Sequence, residues 1–140
     1  MGRALGIDFG IKRIGLALSD PSQIIASPLK TIQAAKSLEQ TIDLIIKELE
    51  DVETIVVGLP LLFSGKDSAI TKNVRKFAAF LETKSNLPLI LWDERLTTMQ
   101  VERILKDDNI CRKKRARHLD TMSATLILQT YLDQMHHANS

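Results

Sequence analysis

Apolar residues gather in short runs at the start of the chain and in longer, spaced patterns after it. Ala4-Leu5-Gly6-Ile7 ends in Asp8, and Phe9-Gly10-Ile11-Lys12-Arg13 leads to a second run, Ile14-Gly15-Leu16-Ala17-Leu18-Ser19. This predicts a buried strand, a glycine-containing turn and a returning strand. Strands are expected over about 3–9, 12–19 and 24–32, with Asp20-Pro21 as the turn signal between the second and third. Leu38, Ile42, Ile45, Ile46 and Leu49 then share one helical face, predicting a helix over about 37–50, and Ser37 with Gln40 fits a capping box. The β-branched run Thr54-Ile55-Val56-Val57-Gly58 suits a central strand buried on both faces. Ile70, Val74, Phe77, Ala78 and Leu81 predict a helix over about 68–84, and Pro88-Leu89-Ile90-Leu91-Trp92 the last strand. Thr97 and Gln100 suit the cap of a third helix with Val101, Ile104 and Leu105 inward; a last helix is expected over about 118–135. The order βββαβαβαα describes an α/β fold whose five-stranded mixed sheet begins antiparallel, becomes parallel and is flanked by helices. Right-handed crossovers place the fourth strand beside the first and the fifth outside it.

Composition narrows the class without naming a chemistry. A length of 140 residues suits one domain, 1–140, with a real core. Aromatic residues are only 4%, so packing falls on Leu, Ile, Val and Ala. The net charge of +2 does not by itself demand a nucleic-acid partner. One cysteine, Cys111, excludes an internal disulfide and suits a reducing compartment. No apolar stretch approaches a membrane span, and a strand begins too early for a signal peptide. The expected location is the cytoplasm, with no membrane partner.

Three acidic sites stand out against this background. Asp8 closes a buried strand, where an ionised carboxylate is costly without compensation. An arginine, a hydrogen-bond network or a metal ion would each serve. Asp93-Glu94 follows the last strand, at the edge where α/β proteins bind ligands. Asp120 shares a helical face with Ala124, Ile127, Leu128 and Tyr131, which places it toward the core. Carboxylates converging from these elements suit Mg²⁺ or Mn²⁺, and a pair of such ions hydrolyses phosphodiesters. The plainer reading makes Asp8 a turn former, Glu94-Arg95 a surface pair and Asp120 a helix N-terminal charge.

A basic run, Arg112-Lys113-Lys114-Arg115-Ala116-Arg117, precedes the helix of Asp120. It suits a mobile phosphate-binding loop beside a metal site, or else a solvated connection. Lys12-Arg13 in the first hairpin would lie near the same rim. Ser64-Gly65-Lys66 lacks the spacing of a P-loop, and His118, His136 and His137 have no metal-ligand spacing with Cys111.

Four segments in register carry a resemblance. They are Gly6-Ile7-Asp8-Phe9-Gly10-Ile11-Lys12-Arg13-Ile14-Gly15 with Ser19-Asp20-Pro21; Ile55-Val56-Val57-Gly58-Leu59-Pro60-Leu61; Leu91-Trp92-Asp93-Glu94-Arg95-Leu96-Thr97-Thr98; and Lys113-Lys114-Arg115 leading to Leu119-Asp120 and Ala124-Thr125-Leu126-Ile127-Leu128-Gln129. Over nearly its whole length the chain resembles the YqgF/RuvX family of pre-16S rRNA nucleases, also called Holliday junction resolvase-like proteins. The resemblance implies a ribonuclease H-like fold and a metal-dependent nuclease with Asp8, Glu94 and Asp120 as catalytic and metal-holding residues. Two departures are visible. Leu61-Leu62-Phe63-Ser64-Gly65 replaces a more polar run, and Gly58-Leu59-Pro60 stands where wider relatives of the fold carry a carboxylate, so Glu94 substitutes from the neighbouring strand.

The expectation is an endonuclease acting on structured nucleic acid, with Lys12, Arg13, Arg95, Arg112, Lys113, Lys114, Arg115 and Arg117 contacting phosphates. The favoured substrate is the 5′ end of precursor 16S rRNA, in ribosome biogenesis. A four-way DNA junction is the alternative, for which a homodimer would supply two active sites. An actin-like or sugar-kinase-like ATPase shares the Gly-x-Asp-x-Gly hairpin but closes two related domains around ATP. A non-catalytic nucleic-acid-binding protein would not depend on Asp8.

Overall fold

Strand alternation divides the sheet between two layers of unlike side chains. The computed structural model describes residues 2–62, 64–93 and 112–138, with 112–120 and 137–138 described by backbone alone. Five strands, β1 (Arg3–Phe9), β2 (Arg13–Ser19), β3 (Ala26–Gln33), β4 (Val52–Leu59) and β5 (Leu89–Asp93), form one sheet in the order β3-β2-β1-β4-β5. The first three are antiparallel neighbours, and β4 joins β1, and β5 joins β4, in parallel. This is the order that right-handed crossovers require.

Odd-numbered residues of β1 face helices α1 (Leu38–Ile46) and α2 (Ala69–Ser85). Leu5, Ile7, Ile14, Leu16, Ile55 and Val57 pack there with Ile42, Ile45, Val74, Phe77 and Leu81. Phe9 stacks on Phe77 with ring centroids 4.4 Å apart, a contact worth about 0.5–1.5 kcal/mol beyond burial. The opposite layer is the helix α3 (Arg112–Ala138). It packs Ala124, Ile127, Leu128, Tyr131 and Leu132 on the smaller Ala4, Ala17 and Val56. The inner face expected for the last helix is therefore buried from Ala124 to Tyr131, the Asp120 side chain lying outside the described residues.

Three local expectations change. Helix α1 stops at Ile46 because turns follow at once: Glu48 N–H donates to Ile45 O, Leu49 N–H to Ile46 O, and Asp51 takes a left-handed φ of 64°. Helix α2 does not bury Ile70, which is 53% exposed. Thr71 is buried instead; its side chain completes a capping box with Ser68, and its hydroxyl donates to the Pro60 carbonyl, tying the helix start to the end of β4. The run Arg112 to Arg117 is not a loop. It forms the opening turns of α3, consistent with the good helix propensity of Arg, Lys and Ala and the lack of a Gly or Pro breaker. The third helix expected near Thr97 falls within 94–111, outside the described residues.

Candidate active site at the carboxyl edge of the sheet

Asp8 is the penultimate residue of β1 and is half-buried. It lies opposite Gly15 of β2, and the β1–β4 pairing of Ile7 with Val57, carried one residue on, sets Gly58 beside it. Alternation turns Asp8 to the α3 side of the sheet, with Ala4 and Gly6. Both lateral neighbours of the carboxylate on that face are thus glycines. A Cβ on Gly6 would meet Leu128 Cβ at 2.7 Å and the Ala124 carbonyl oxygen at 2.9 Å, so α3 approaches the strand at backbone distance.

That contact fixes where the rest of the helix lies. His136 sits 3.0 Å from the Gln23 carbonyl, and Gln23 in turn donates to the Gly2 carbonyl, so the end of α3 lies over the amino edge of β1. The earlier turns therefore run toward the carboxyl edge. Position 120 precedes Ala124 by four helical residues, about 6 Å, and Asp8 lies two strand residues, about 6.6 Å, beyond Gly6. The backbone of Asp120 thus heads toward Asp8; its carboxylate is outside the described residues, as are Glu94 and Arg95. Asp93 is described, and alternation sets it on the α1/α2 side while Trp92 shares the face of Asp8. Among the described residues no three His, Cys, Asp or Glu side chains cluster.

Two contacts hold α3 across the sheet, and neither stood out in the sequence. At the β3 edge, Gln129 accepts from Ala26 N–H at 2.8 Å and donates to the Ile24 carbonyl at 2.9 Å. At the β5 edge, Trp92 Nε1 donates to Thr130 Oγ1 at 3.0 Å, and its ring meets Tyr131 edge-on. A glutamine on the rim of an apolar helical stripe was the available signal for the first; a tryptophan one residue before the acidic pair was the signal for the second.

The expected cationic residues divide similarly. Lys12 is exposed at the β1–β2 turn, where its carbonyl accepts from Ala34 N–H at 2.9 Å. Arg13 is half-buried, and alternation puts it on the face of Asp8, one diagonal away across the strand pair, which a long side chain spans. The turn needs glycine at Gly10, whose Cβ would meet Arg13 O at 2.5 Å. Arg112, Lys113, Lys114, Arg115 and Arg117 occupy α3 positions, with side chains outside the described residues. Ser19-Asp20-Pro21 lies at the opposite edge from Asp8. There Ser19 Oγ accepts from Ala4 N–H, and Asp20 accepts from Ile24 and Ile25 N–H. Those backbone donors, Ile25 first, hold the Asp20 carboxyl below its ordinary range. In the loop after β4, Leu62 and Ser64 are exposed and Phe63 is outside the described residues. No helix among the described residues is long and apolar enough to cross a membrane.

With this geometry in view, the sequence profile of the family described as "RuvX: Holliday junction resolvase" matches residues 2–134. The chain belongs to the RuvX family. A relative from Protochlamydia amoebophila, named "Putative pre-16S rRNA nuclease", is 45% identical over 139 residues, covering 94% of this chain and 93% of its own. One of the same name from Koribacter versatilis is 43% identical over 134 residues, covering 95% and 88%. The fold of this RuvX chain is also that of distant resolvases. Thermus thermophilus RuvC, solved in complex with a Holliday junction substrate, aligns with a TM-score of 0.55 at 14% identity, covering 96% of both chains. The fowlpox virus Holliday junction resolvase aligns with a TM-score of 0.58 at 12% identity, covering 94% of this chain and 99% of its own. The ribonuclease H-like architecture expected from the RuvX resemblance is thereby established.

Proposed function

We propose that the chain is a metal-dependent endonuclease that hydrolyses phosphodiester bonds in structured nucleic acid, with precursor 16S rRNA as its substrate. The observation that carries this reading is the setting of Asp8. It stands half-buried at the carboxyl edge of a parallel strand pair, with glycine on either side, on the face along which α3 brings position 120 toward it. Family membership and the names of the relatives support phosphodiester hydrolysis over the ATPase reading.

The residues fit a hard divalent cation. Asp8 offers carboxylate oxygens at a strand end, between two strand neighbours, Gly15 and Gly58, that carry no side chain of their own. Of the pair Asp93-Glu94, Asp93 is on the wrong face, which leaves Glu94 as the second proposed ligand and Asp120 as the third. Bound there, Mg²⁺ or Mn²⁺ supplies Lewis acidity to an attacking water and a leaving oxygen. The chain's own part is to hold and orient. Cations at the start of α3 add to the positive end of the helix dipole, an arrangement that is unfavourable in isolation and favours a bound phosphate. Lys12, Arg13 and Arg95 complete the proposed phosphate contacts, in a single domain acting in the cytoplasm.

A second substrate, the four-way DNA junction, is favoured by the description of the family. It requires two active sites, so a homodimer in solution would point to it. The test is cleavage of rRNA-leader RNA, a four-way DNA junction, single-stranded RNA and duplex DNA with Mg²⁺ or Mn²⁺. Asp8→Asn should abolish cleavage and leave folding and nucleic-acid affinity near wild type. Cleavage by Asp8→Asn equal to wild type would remove Asp8 from the site.

A further inference from the structure

A cleft of about 360 Å³ opens on the α1/α2 side of the same sheet edge. Phe9 and Ile11 line it from the β1–β2 hairpin, Lys36 from the β3–α1 connection, Thr41 from α1, and Asn73 and Lys76 from α2. Its walls are fixed. Ala34 N–H donates to Lys12 O, and Ala35 N–H donates to Thr41 Oγ1, which itself donates to Ser37 O. Its floor is apolar, and Ile11 stands 69% exposed on its rim. Among the described residues no acidic side chain lines it. Lys84, further along α2, bridges Glu39 and Asp43 at 3.3 Å, whereas Lys12, Lys36 and Lys76 form no ion pair among the described residues.

We propose that this cleft takes one unpaired nucleotide of the bound nucleic acid, with Lys36 and Lys76 on its phosphates and Phe9 and Ile11 against its base or sugar. An apolar floor flanked by cations is how sequence-tolerant sites hold single strands. The volume lies at the lower end of small-ligand sites and excludes a duplex, whose bases are already stacked and paired. Position argues the same way. Phe9 follows Asp8 directly, so the proposed catalytic carboxylate and the cleft floor leave one strand end on opposite faces, with Cα atoms about 3.8 Å apart. A strand passing over the exposed tip at Ile11 and Lys12 would meet both. The uncompensated lysines favour a polyanion over a peptide or a second copy of the chain.

This deepens the nuclease reading and rests on it, so the test reads binding apart from cleavage. The full chain is titrated in EDTA, by fluorescence anisotropy, with a labelled oligouridylate of about ten nucleotides and with a blunt RNA duplex of equal length. The wild type should favour the single strand. Lys36→Ser/Lys76→Ser should lose that preference, and its log–log salt slope should be shallower by about 1.4, or two single-strand phosphates. The affinity gap from wild type should then narrow about sevenfold between about 50 and about 200 mM salt. Ile11→Ser should weaken single-strand binding with the slope unchanged. Equal affinity and slope in wild type and double variant would overturn the proposal, as would equal losses on single strand and duplex. A chain that binds oligouridylate in this way but cleaves no substrate keeps the cleft and loses the nuclease reading. Cleavage with an unaltered double variant does the reverse.

Discussion

The two faces of the sheet use opposite means to hold their helices. Against α1 and α2 the strands present Leu5, Ile7, Ile14, Leu16, Ile55 and Val57, and Phe77 fills the space between them. Against α3 they present Ala4, Gly6, Ala17 and Val56, so the helix comes down to backbone contact and is held sideways by Gln129 and the Trp92–Thr130 bond. Small residues let a helix approach the strand backbone closely, whereas bulky side chains set it further off. The face with the small residues is the one that carries Asp8. Its packing sets the distance between a strand carboxylate and a helix position, while the other face supplies the bulky core and, at its edge, the proposed cleft.

Substitutions on each face separate these roles. Phe77→Ala removes the largest fully buried side chain among the described residues, together with its stack on Phe9. A loss of about 3–5 kcal/mol is expected in denaturant unfolding. Turnover per folded molecule at saturating substrate, measured at low temperature, should stay near wild type, any loss of the Phe9 wall of the cleft falling on binding. Gly6→Ala should cost less stability, about 1–3 kcal/mol, because one methyl displaces Leu128 and the Ala124 carbonyl. It should nevertheless lower kcat more than Phe77→Ala does, since it lifts α3 from the strand bearing Asp8. If Phe77→Ala proves the more damaging to kcat, the division of labour between the faces is wrong.

The α1/α2 face was the more legible in the sequence, for a physical reason. Ile42, Ile45, Val74, Phe77 and Leu81 recur at helical spacing, and their burial is what the period reports. The strand order followed from chirality alone. On the other face the residues that matter are small or polar. Gly6 carries no hydrophobic signal, and the grip of Gln129 on β3 spans 103 residues of sequence, beyond any local pattern. The basic run showed its charge but not its conformation. Read as charge it suggested a mobile loop, whereas the propensities of Arg, Lys and Ala agree with the helix. Ser19-Asp20-Pro21 belongs to the pattern that carries the family resemblance and yet sits at the far edge, building a turn. Spacing places Asp8 at a strand end, but only the register shows that glycines flank it.

The smallest expected effect tests the polar anchoring of the α3 face. Asp20 holds the turn whose Ile24 carbonyl accepts from Gln129, so its carboxylate indirectly supports the edge of α3. Backbone N–H groups of Ile25 and Ile24 keep its pKa below the ordinary value in the folded chain. The unfolded chain therefore binds its proton first as pH falls, from about pH 3.9. The contribution of Asp20 to stability is complete above that pH and is lost as pH drops through the lower, folded pKa. Asp20→Asn keeps an acceptor for the same donors but removes the titration. Its melting temperature should be slightly lower than wild type at neutral pH, and the gap should close as pH falls below about 3.9 and through the lower, folded pKa. Cleavage at neutral pH should be unaffected, because the turn lies at the edge remote from Asp8. A melting gap that stays constant across that range would mean that the Asp20 carboxylate contributes nothing through its charge, and that the turn is held by its hydrogen-bond geometry alone.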